Sequence, residues 1–126
     1  MEKEDFYFML RTLYENCDGR ENKIDSELIK MYIYDFKPFD ENFLVLQPSE
    51  PIGGSRYLQM AASRKNEELE VETRIYFSNS DDEFKHYRKS FGFSENDFNE
   101  IYTIFCSYLD KKVPDLKLWN DVTEEF

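Results

Sequence analysis

The carboxylates of Glu70 and Glu72 form a pair of side chains whose type and spacing could support acid–base chemistry. They alternate along a segment with the two-residue period of a β-strand, so they share one strand face with Arg74. Acid–base catalysis by two carboxylates needs a cleft in which their pKa values separate. A flat sheet face offers no such cleft, so we interpret the row as a solvated face with cross-strand pairing.

The single histidine, His86, would have to serve in any Ser-His-Asp or Cys-His arrangement. No nucleophile elbow surrounds it, and neither Cys17 nor Cys106 is near it in sequence. The two cysteines are isolated and form no CxxC motif, which speaks against a disulfide framework or a zinc site. We therefore predict no catalytic residue, no metal and no cofactor, and we expect reduced thiols, as in a cytoplasmic protein.

The same strand face suits binding better than catalysis. Tyrosine and arginine are favoured anchors at protein interfaces, and the acids around them can steer a basic partner. The predicted partner-binding residues are Tyr57, Gln59, Glu72, Arg74, Tyr76, Asp81 and Asp82.

Two alternatives remain open. The first is a small ligand-binding domain or enzyme with a pocket between sheet and helices, in which Glu72, Arg74 and His86 are the polar groups. The second is a subunit-assembly domain, a homodimer in which a second copy of the chain buries the outer sheet face. A deep cavity that receives Glu72 would favour the first alternative, and a monomeric mass would exclude the second.

The central stretch of the chain predicts a β-hairpin with strands over 56–63 and 68–77. A two-residue loop at 65–66 aligns the apolar positions of both strands on one face, which specifies the register strongly. The inward residues are then Leu58, Met60, Val71 and Ile75, while Gln59, Glu72 and Arg74 face water. The predicted opposed pairs are Ala62 with Leu69, Met60 with Val71, Leu58 with Thr73, Ala61 with Glu70, Gln59 with Glu72, and Tyr57 with Arg74.

The first third of the chain gives weaker signals. Residues 4–17 carry apolar side chains at helical spacing and predict a helix. Residues 25–36 fit a helix capped by Asp25 or Ser26, but their Tyr and Ile content and partial alternation favour a strand, which we prefer. Residues 43–47 predict a short strand.

After the hairpin, residues 83–89 fit either a third strand or a short helix that begins with a capping box at Ser80. We prefer the strand, which puts Phe84, His86 and Arg88 on one face. The clearest helix runs over 95–111 and is capped by Ser94. Its apolar stripe is wide enough to cover the inner face of the sheet.

The chain has 126 residues and a net charge of −11, of which −5 falls in residues 1–63 and −6 in residues 64–126. One domain over 1–126 is expected. Such diffuse negative charge repels nucleic acid and anionic membranes and attracts a basic partner. Four charged residues crowd positions 2–5, which argues against a signal peptide, and no apolar run reaches the ~18 residues of a membrane span. We expect a cytoplasmic protein.

Three short motifs, a helix and a tryptophan follow in order: Tyr57-Leu58-Gln59, Val71-Glu72-Thr73-Arg74, His86-Tyr87-Arg88, the amphipathic helix, and Trp119. This layout, over roughly residues 55–120, resembles small acidic bacterial proteins that look like immunity proteins of polymorphic toxin systems. The resemblance implies an intracellular protein that neutralises a toxin, and no catalytic residue carries over from it.

The sequence therefore predicts one α+β domain in which an antiparallel sheet is covered on one face by helices. The long helix should lie across Met60, Val71 and Thr73. The predicted function is a non-enzymatic protein-binding module, and most specifically an immunity-type inhibitor of a basic toxin domain.

Overall fold

The computed structural model describes residues 6–37, 42–63, 67–77 and 82–126, and within these ranges the chain forms one antiparallel sheet and two α-helices. The spatial order of the strands is β2-β1-β3-β4-β5-β6-β7, so the sheet is close to a simple meander. The strands are β1 (Phe8–Thr12), β2 (Asn16–Asp18), β3 (Phe43–Pro48), β4 (Ser55–Ala62), β5 (Leu69–Tyr76), β6 (Phe84–Phe91) and β7 (Asn120–Asp121).

The helices α1 (Ser26–Tyr34) and α2 (Glu95–Leu109) pack against each other on one face of the sheet. Their apolar stripes meet the inward residues of the strands, and together they form one core. The predicted α+β fold with helices on one sheet face is therefore confirmed. The most deeply buried core residues include Leu10, Ile29, Ile33, Leu44, Leu46, Leu58, Met60, Leu69, Val71, Ile101, Phe105 and Tyr108.

The predicted register of the central hairpin is confirmed from Leu58, which lies opposite Thr73, to Ala62, which lies opposite Leu69. The predicted loop at 65–66 lies outside the described residues. Below Leu58 the register shifts, because β4 carries a bulge between Ser55 and Leu58. The predicted pairing of Tyr57 with Arg74 is therefore wrong. An extra residue on one strand re-aims the side chains around it, which sequence alternation alone does not reveal.

Buried hydroxyl groups satisfy the polar backbone at this bulge. Thr73 Oγ1 donates to the carbonyl oxygen of Tyr57 at 2.7 Å, and Ser55 Oγ lies 2.7 Å from Thr73 Oγ1. The hydroxyl of Tyr108, on α2, lies 2.7 Å from the same Ser55 oxygen. Because Thr73 donates to the carbonyl, its oxygen can accept from Ser55, which in turn can accept from Tyr108. This chain of hydrogen bonds ties α2 to the bulge and fixes the backbone that carries Tyr57.

The predicted helix over 4–17 is wrong. Within the described part of that range the chain forms β1 and β2, which pair antiparallel with Leu10 opposite Cys17. Phe8 and Leu10 are buried at strand spacing, two residues apart. Because β1 also pairs with β3, this segment gains hydrogen bonds on both sides, and that tertiary pairing overrides the apolar spacing that resembled a helix.

The preferred strand over 25–36 is also wrong, and the helical alternative holds. Asp25 is the N-cap of α1, and its side chain accepts a hydrogen bond from the backbone N–H of Leu28 at 3.0 Å. The helix buries Ile29 and Ile33 completely, four residues apart. Packing of that stripe against the core outweighs the strand preference of isoleucine and tyrosine.

Three other element predictions are confirmed: the short strand at β3, the third strand of the meander at β6, and the long helix at α2. Ser94 caps α2 in a reciprocal capping box with Asp97, as the sequence indicates. Trp119 docks on the domain and is 8% exposed. Short 3-10 turns flank β7 at Leu116–Leu118 and Thr123–Glu125. Neither α-helix described here has the length and apolar character to cross a bilayer.

Candidate functional site: the outer face of the sheet

The face of the sheet opposite the helices, which we call the outer face, carries most of the predicted binding residues. Strand alternation places Gln59, Glu72 and Arg74 there, and β6 adds His86 opposite Arg74 and Arg88 opposite Glu72. The structure therefore brings these predicted polar residues together on two neighbouring strands, with Gln59 beside them on β4.

Glu72, His86 and Arg74 form a chain of side-chain hydrogen bonds. Arg74 Nε donates to His86 Nδ1 at 3.1 Å, and His86 Nε2 lies 2.5 Å from Glu72 Oε1. Because Nδ1 accepts from the arginine, the ring proton sits on Nε2, where it is donated to the glutamate. Both ring nitrogens are therefore occupied by neighbouring side chains, and His86 has no free nitrogen with which to serve a substrate.

Burial and hydrogen bonding act on Glu72 in opposite directions. Its side chain is 13% exposed, and that burial alone would raise the pKa of Glu72. The hydrogen bond from His86 and the charge of Arg88 outweigh burial, so the pKa of Glu72 lies below its ordinary value. Glu72 is therefore ionised at neutral pH although little of it reaches water.

Arg88 extends this cluster towards the C-terminal segment. Its Nε lies 3.2 Å from Glu72 Oε2, without the alignment of a hydrogen bond, and its terminal nitrogen lies 3.0 Å from Glu125 Oε1. Glu70 Oε1, on the same face, lies 3.8 Å from Arg88 Nε. Burial raises the pKa of Glu70, and the nearby Arg88 opposes that shift. One arginine thus binds three carboxylates across two strands and the C-terminal segment.

The C-terminal segment covers His86. The backbone N–H of Val122 donates to the carbonyl oxygen of His86 at 2.8 Å, and the backbone N–H of His86 donates to Thr123 Oγ1 at 2.9 Å. The ring of Phe126 lies 4.3 Å from the His86 ring, centroid to centroid, and the Arg74 guanidinium lies 4.6 Å from the Phe126 centroid. His86 is 2% exposed as a result.

This cover corrects the expectation that Gln59, Glu72 and Arg74 look out to open water. They point away from the helices as predicted, but all three are only partly exposed, and Glu72 is mostly covered. Neither Glu72 nor His86 is among the described residues that line the three best-formed cavities. The predicted pocket between sheet and helices that would use Glu72, Arg74 and His86 is therefore wrong, because all three lie on the opposite face.

Beside the covered cluster, the outer face opens into a cleft of about 310 Å³, which we call the Tyr57 cleft. Two of the predicted binding residues, Tyr57 and Gln59, line it. Burial raises the pKa of Tyr57, and Arg74 opposes that shift, so its phenol is neutral at ordinary pH. The described residues that line the cleft are Arg11, Phe43, Val45, Gln47, Tyr57 and Gln59.

The remaining predicted residues lie elsewhere. Tyr76 packs under the guanidinium of Arg56, 3.8 Å from its ring centroid, and beside Phe84 at 6.0 Å. Asp82 is exposed before β6, and Asp81 lies outside the described residues. Tyr76 therefore lies at the C-terminal end of β5, close to Tyr57, but does not line the cleft.

Sequence reasoning missed the β1 and β3 side of the cleft and the cover over His86. Arg11 donates to Gln47 Oε1 at 3.2 Å across β1 and β3. The alternation of Val45 and Gln47 with buried Leu44 and Leu46 was a usable signal for β3. The contacts of Glu125 and Phe126 join residues about 40 positions apart, and no local pattern marks them.

Comparisons with known proteins found no match: no protein-family model, no curated protein and no solved structure matches the chain. The resemblance to immunity proteins stays a prediction.

Proposed function

We propose that this chain is a protein-binding module that receives a basic protein partner at the Tyr57 cleft, and that it acts as an immunity-type inhibitor of a basic toxin domain. The observation that carries the proposal is a cleft of about 310 Å³ on the sheet face that the helices leave uncovered. Concave sites lined by apolar and aromatic groups with a few polar side chains are typical of ligand sites, and pockets of this kind also receive the anchor side chains of protein partners.

The lining of the cleft supports contact with a protein surface. Tyr57 is an aromatic side chain held on a strand whose backbone carbonyl accepts a hydrogen bond from the buried Thr73 hydroxyl. A rigid aromatic anchor loses little conformational entropy on binding. Gln47 and Gln59 add amide donors and acceptors, and Val45 adds apolar area.

Charge supports the choice of partner at longer range. The chain carries a net charge of −11, and this field raises the association rate of a positively charged protein. Among the described residues that line the cleft, the one cation is Arg11, which is hydrogen-bonded to Gln47. The overall field would therefore steer the partner, and the side chains of the cleft would select it.

The test uses two variants that change the net charge equally. Gln59→Arg places a bulky cation in the cleft, whereas Thr103→Arg places one on an exposed position of α2. Each protein is immobilised and incubated with native lysate of the source organism, and captured proteins are identified and purified. We expect one basic protein to bind the wild type and the Thr103→Arg variant but not Gln59→Arg, with affinity that falls as salt is raised.

Equal capture by the wild type and Gln59→Arg would overturn the cleft as the binding site. Failure of the wild type to bind any basic protein would overturn the module itself. The immunity role adds a further requirement: the captured protein arrests growth when expressed alone and is harmless when co-expressed with this chain. A monomeric mass for the free chain excludes a second copy as the natural occupant of the outer face.

A further inference from the structure

A second cavity lies on the helix-bearing side of the sheet, between the β1–β2 turn, the end of α1 and the start of β3. Its volume is about 320 Å³, at the small end of the range for ligand sites. We call it the Tyr14 pocket. The described residues that line it are Thr12, Tyr14, Glu15, Met31, Tyr32, Asp35, Phe36, Lys37, Asn42 and Leu44.

Large apolar side chains at the rim of this pocket are exposed. Tyr14 is 72% exposed and Met31 is 49% exposed, whereas Leu44 at its base is buried. Exposed aromatic and methionine side chains around a concavity mark binding sites more often than isolated exposed residues do. Asn42 Nδ2 donates to the carbonyl oxygen of Lys37 at 3.1 Å, which fixes one side of the rim.

Among the described side chains that line the pocket, two carboxylates outnumber one cation, Lys37, so their net charge is negative. Glu15 and Asp35 both line it, and the C-terminal end of α1, whose last turn contains no basic residue, adds the negative end of the helix dipole. Glu15 accepts a hydrogen bond from the Tyr32 hydroxyl. That bond, followed by burial, raises the pKa of Tyr32 to about 12, so the phenol stays neutral and acts as a donor.

From this combination of aromatic rings, two carboxylates and a helix C-terminus around one cavity, we infer that the Tyr14 pocket binds an alkylguanidinium or alkylammonium group, as on an arginine or lysine side chain. The aromatic faces of Tyr14 and Phe36 attract the cation, and the apolar wall accommodates its aliphatic stem. This site is independent of the proposed function, because it lies on the opposite side of the sheet from the Tyr57 cleft.

The test titrates the ¹⁵N-labelled protein with n-butylguanidine and follows the backbone amide resonances. Its neutral isostere n-butylurea serves as the matched control ligand. A third ligand, acetyl-Gly-Arg-Gly-amide, presents the same guanidinium group on the side chain of an arginine. We expect the two guanidinium ligands to shift the amides of Glu15, Met31 and Asp35, and n-butylurea not to. Tighter binding of the peptide would assign the occupant to a protein side chain, and tighter binding of n-butylguanidine would assign it to a small molecule.

Variants locate the effect in the pocket. Asp35→Asn and Tyr14→Ala should each weaken binding of n-butylguanidine about two- to fivefold. Glu50→Gln removes an exposed carboxylate beyond the far end of β3 and should leave affinity unchanged. Lys37→Gln removes the cation that lines the pocket and should strengthen binding about twofold, a gain that partial unfolding does not produce.

Three results would overturn the inference. The first is equal shifts with n-butylguanidine and n-butylurea, which would make the pocket merely apolar. The second is the absence of any shift with either guanidinium ligand. The third is weaker binding of n-butylguanidine by Lys37→Gln, because removal of a like charge should strengthen the binding of a cation.

Discussion

Glu72 keeps a negative charge where little water reaches it, so its partners determine how much it stabilises the fold. Replacement by glutamine (Glu72→Gln) preserves the shape but removes the charge beside Arg88 and weakens the bond from His86. We expect the free energy of unfolding at about pH 7 to fall by about 1–3 kcal/mol. Urea unfolding of the variant and the wild type measures the difference.

We also expect the effect of Glu72→Gln on the free energy of unfolding to depend on pH. The pKa of Glu72 is lower in the folded protein than its ordinary value of 4.5, so its stabilisation is fully present above that value. It is lost as the pH falls through the folded-state pKa, and the gap between wild type and Glu72→Gln should narrow there. Glu67→Gln, at an exposed position, is the control with no expected gap. A gap for Glu72→Gln that stays constant down to low pH would contradict the assignment.

Tyr108 differs from Glu72 because its buried side chain is uncharged. Burial raises the pKa of Tyr108 to about 12, so the phenol remains protonated at acidic and neutral pH. Tyr108→Phe removes the group that Ser55 meets at 2.7 Å and should cost about 1–2 kcal/mol. Unlike the Glu72 effect, this cost should not change between acidic and neutral pH. Tyr14→Phe, at a tyrosine that is 72% exposed, should be near zero in the same unfolding measurement.

At the scale of elements, the start of α1 depends on one side chain. Asp25 accepts the N–H of Leu28, and its replacement by alanine (Asp25→Ala) should lower the free energy of unfolding by about 1 kcal/mol. Glu21→Ala removes the same charge from an exposed loop position and is the matched control. Equal effects of the two substitutions, measured by thermal unfolding, would show that charge and not capping is responsible.

The elements that the sequence predicts well are those in which several local signals agree. In the hairpin, the turn length and the alternation specify the same register, and in α2 the Ser94 cap and the apolar stripe specify the same helix. In residues 4–17 and 25–36 the apolar positions fit both periods. There, pairing of β1 with β3 and packing of α1 against α2 decide the outcome. Such contacts join distant parts of the chain and leave no local pattern.

In the candidate site, too, local sequence signals predict some features and leave others unpredicted. Alternation predicts that Gln59, Glu72 and Arg74 share a face, and pairing of β5 with β6 follows from the meander. The cover over that face could not be predicted, because the contact between Phe126 and His86 joins residues 40 positions apart and depends on the pairing of β7 with β6. The bulge at Ser55–Leu58 is a second such feature, since it moves Tyr57 out of the predicted pair.

At the scale of the whole molecule, the strands at the two edges of the sheet are short. β2 has three residues at one edge and β7 has two at the other. Short edge strands limit pairing with other molecules, which matters for a protein whose function is proposed to be selective binding. The eight-residue strand β6 lies directly inside β7, so the C-terminal segment protects a longer edge as well as His86.

Removal of residues 120–126 should therefore expose β6 as an edge. The truncated chain loses the β7 pairing at Tyr87 and Arg88 and the backbone bond from Val122 to His86. We expect the truncated chain to associate as concentration rises, beyond any association of the full chain, because unpaired N–H and C=O groups along β6 recruit a strand from another molecule. Light scattering coupled to size-exclusion chromatography measures the mass. Phe126→Ala keeps β7 and should behave as the full chain does, so association by that variant, or an unchanged mass for the truncation, would contradict edge protection by β7.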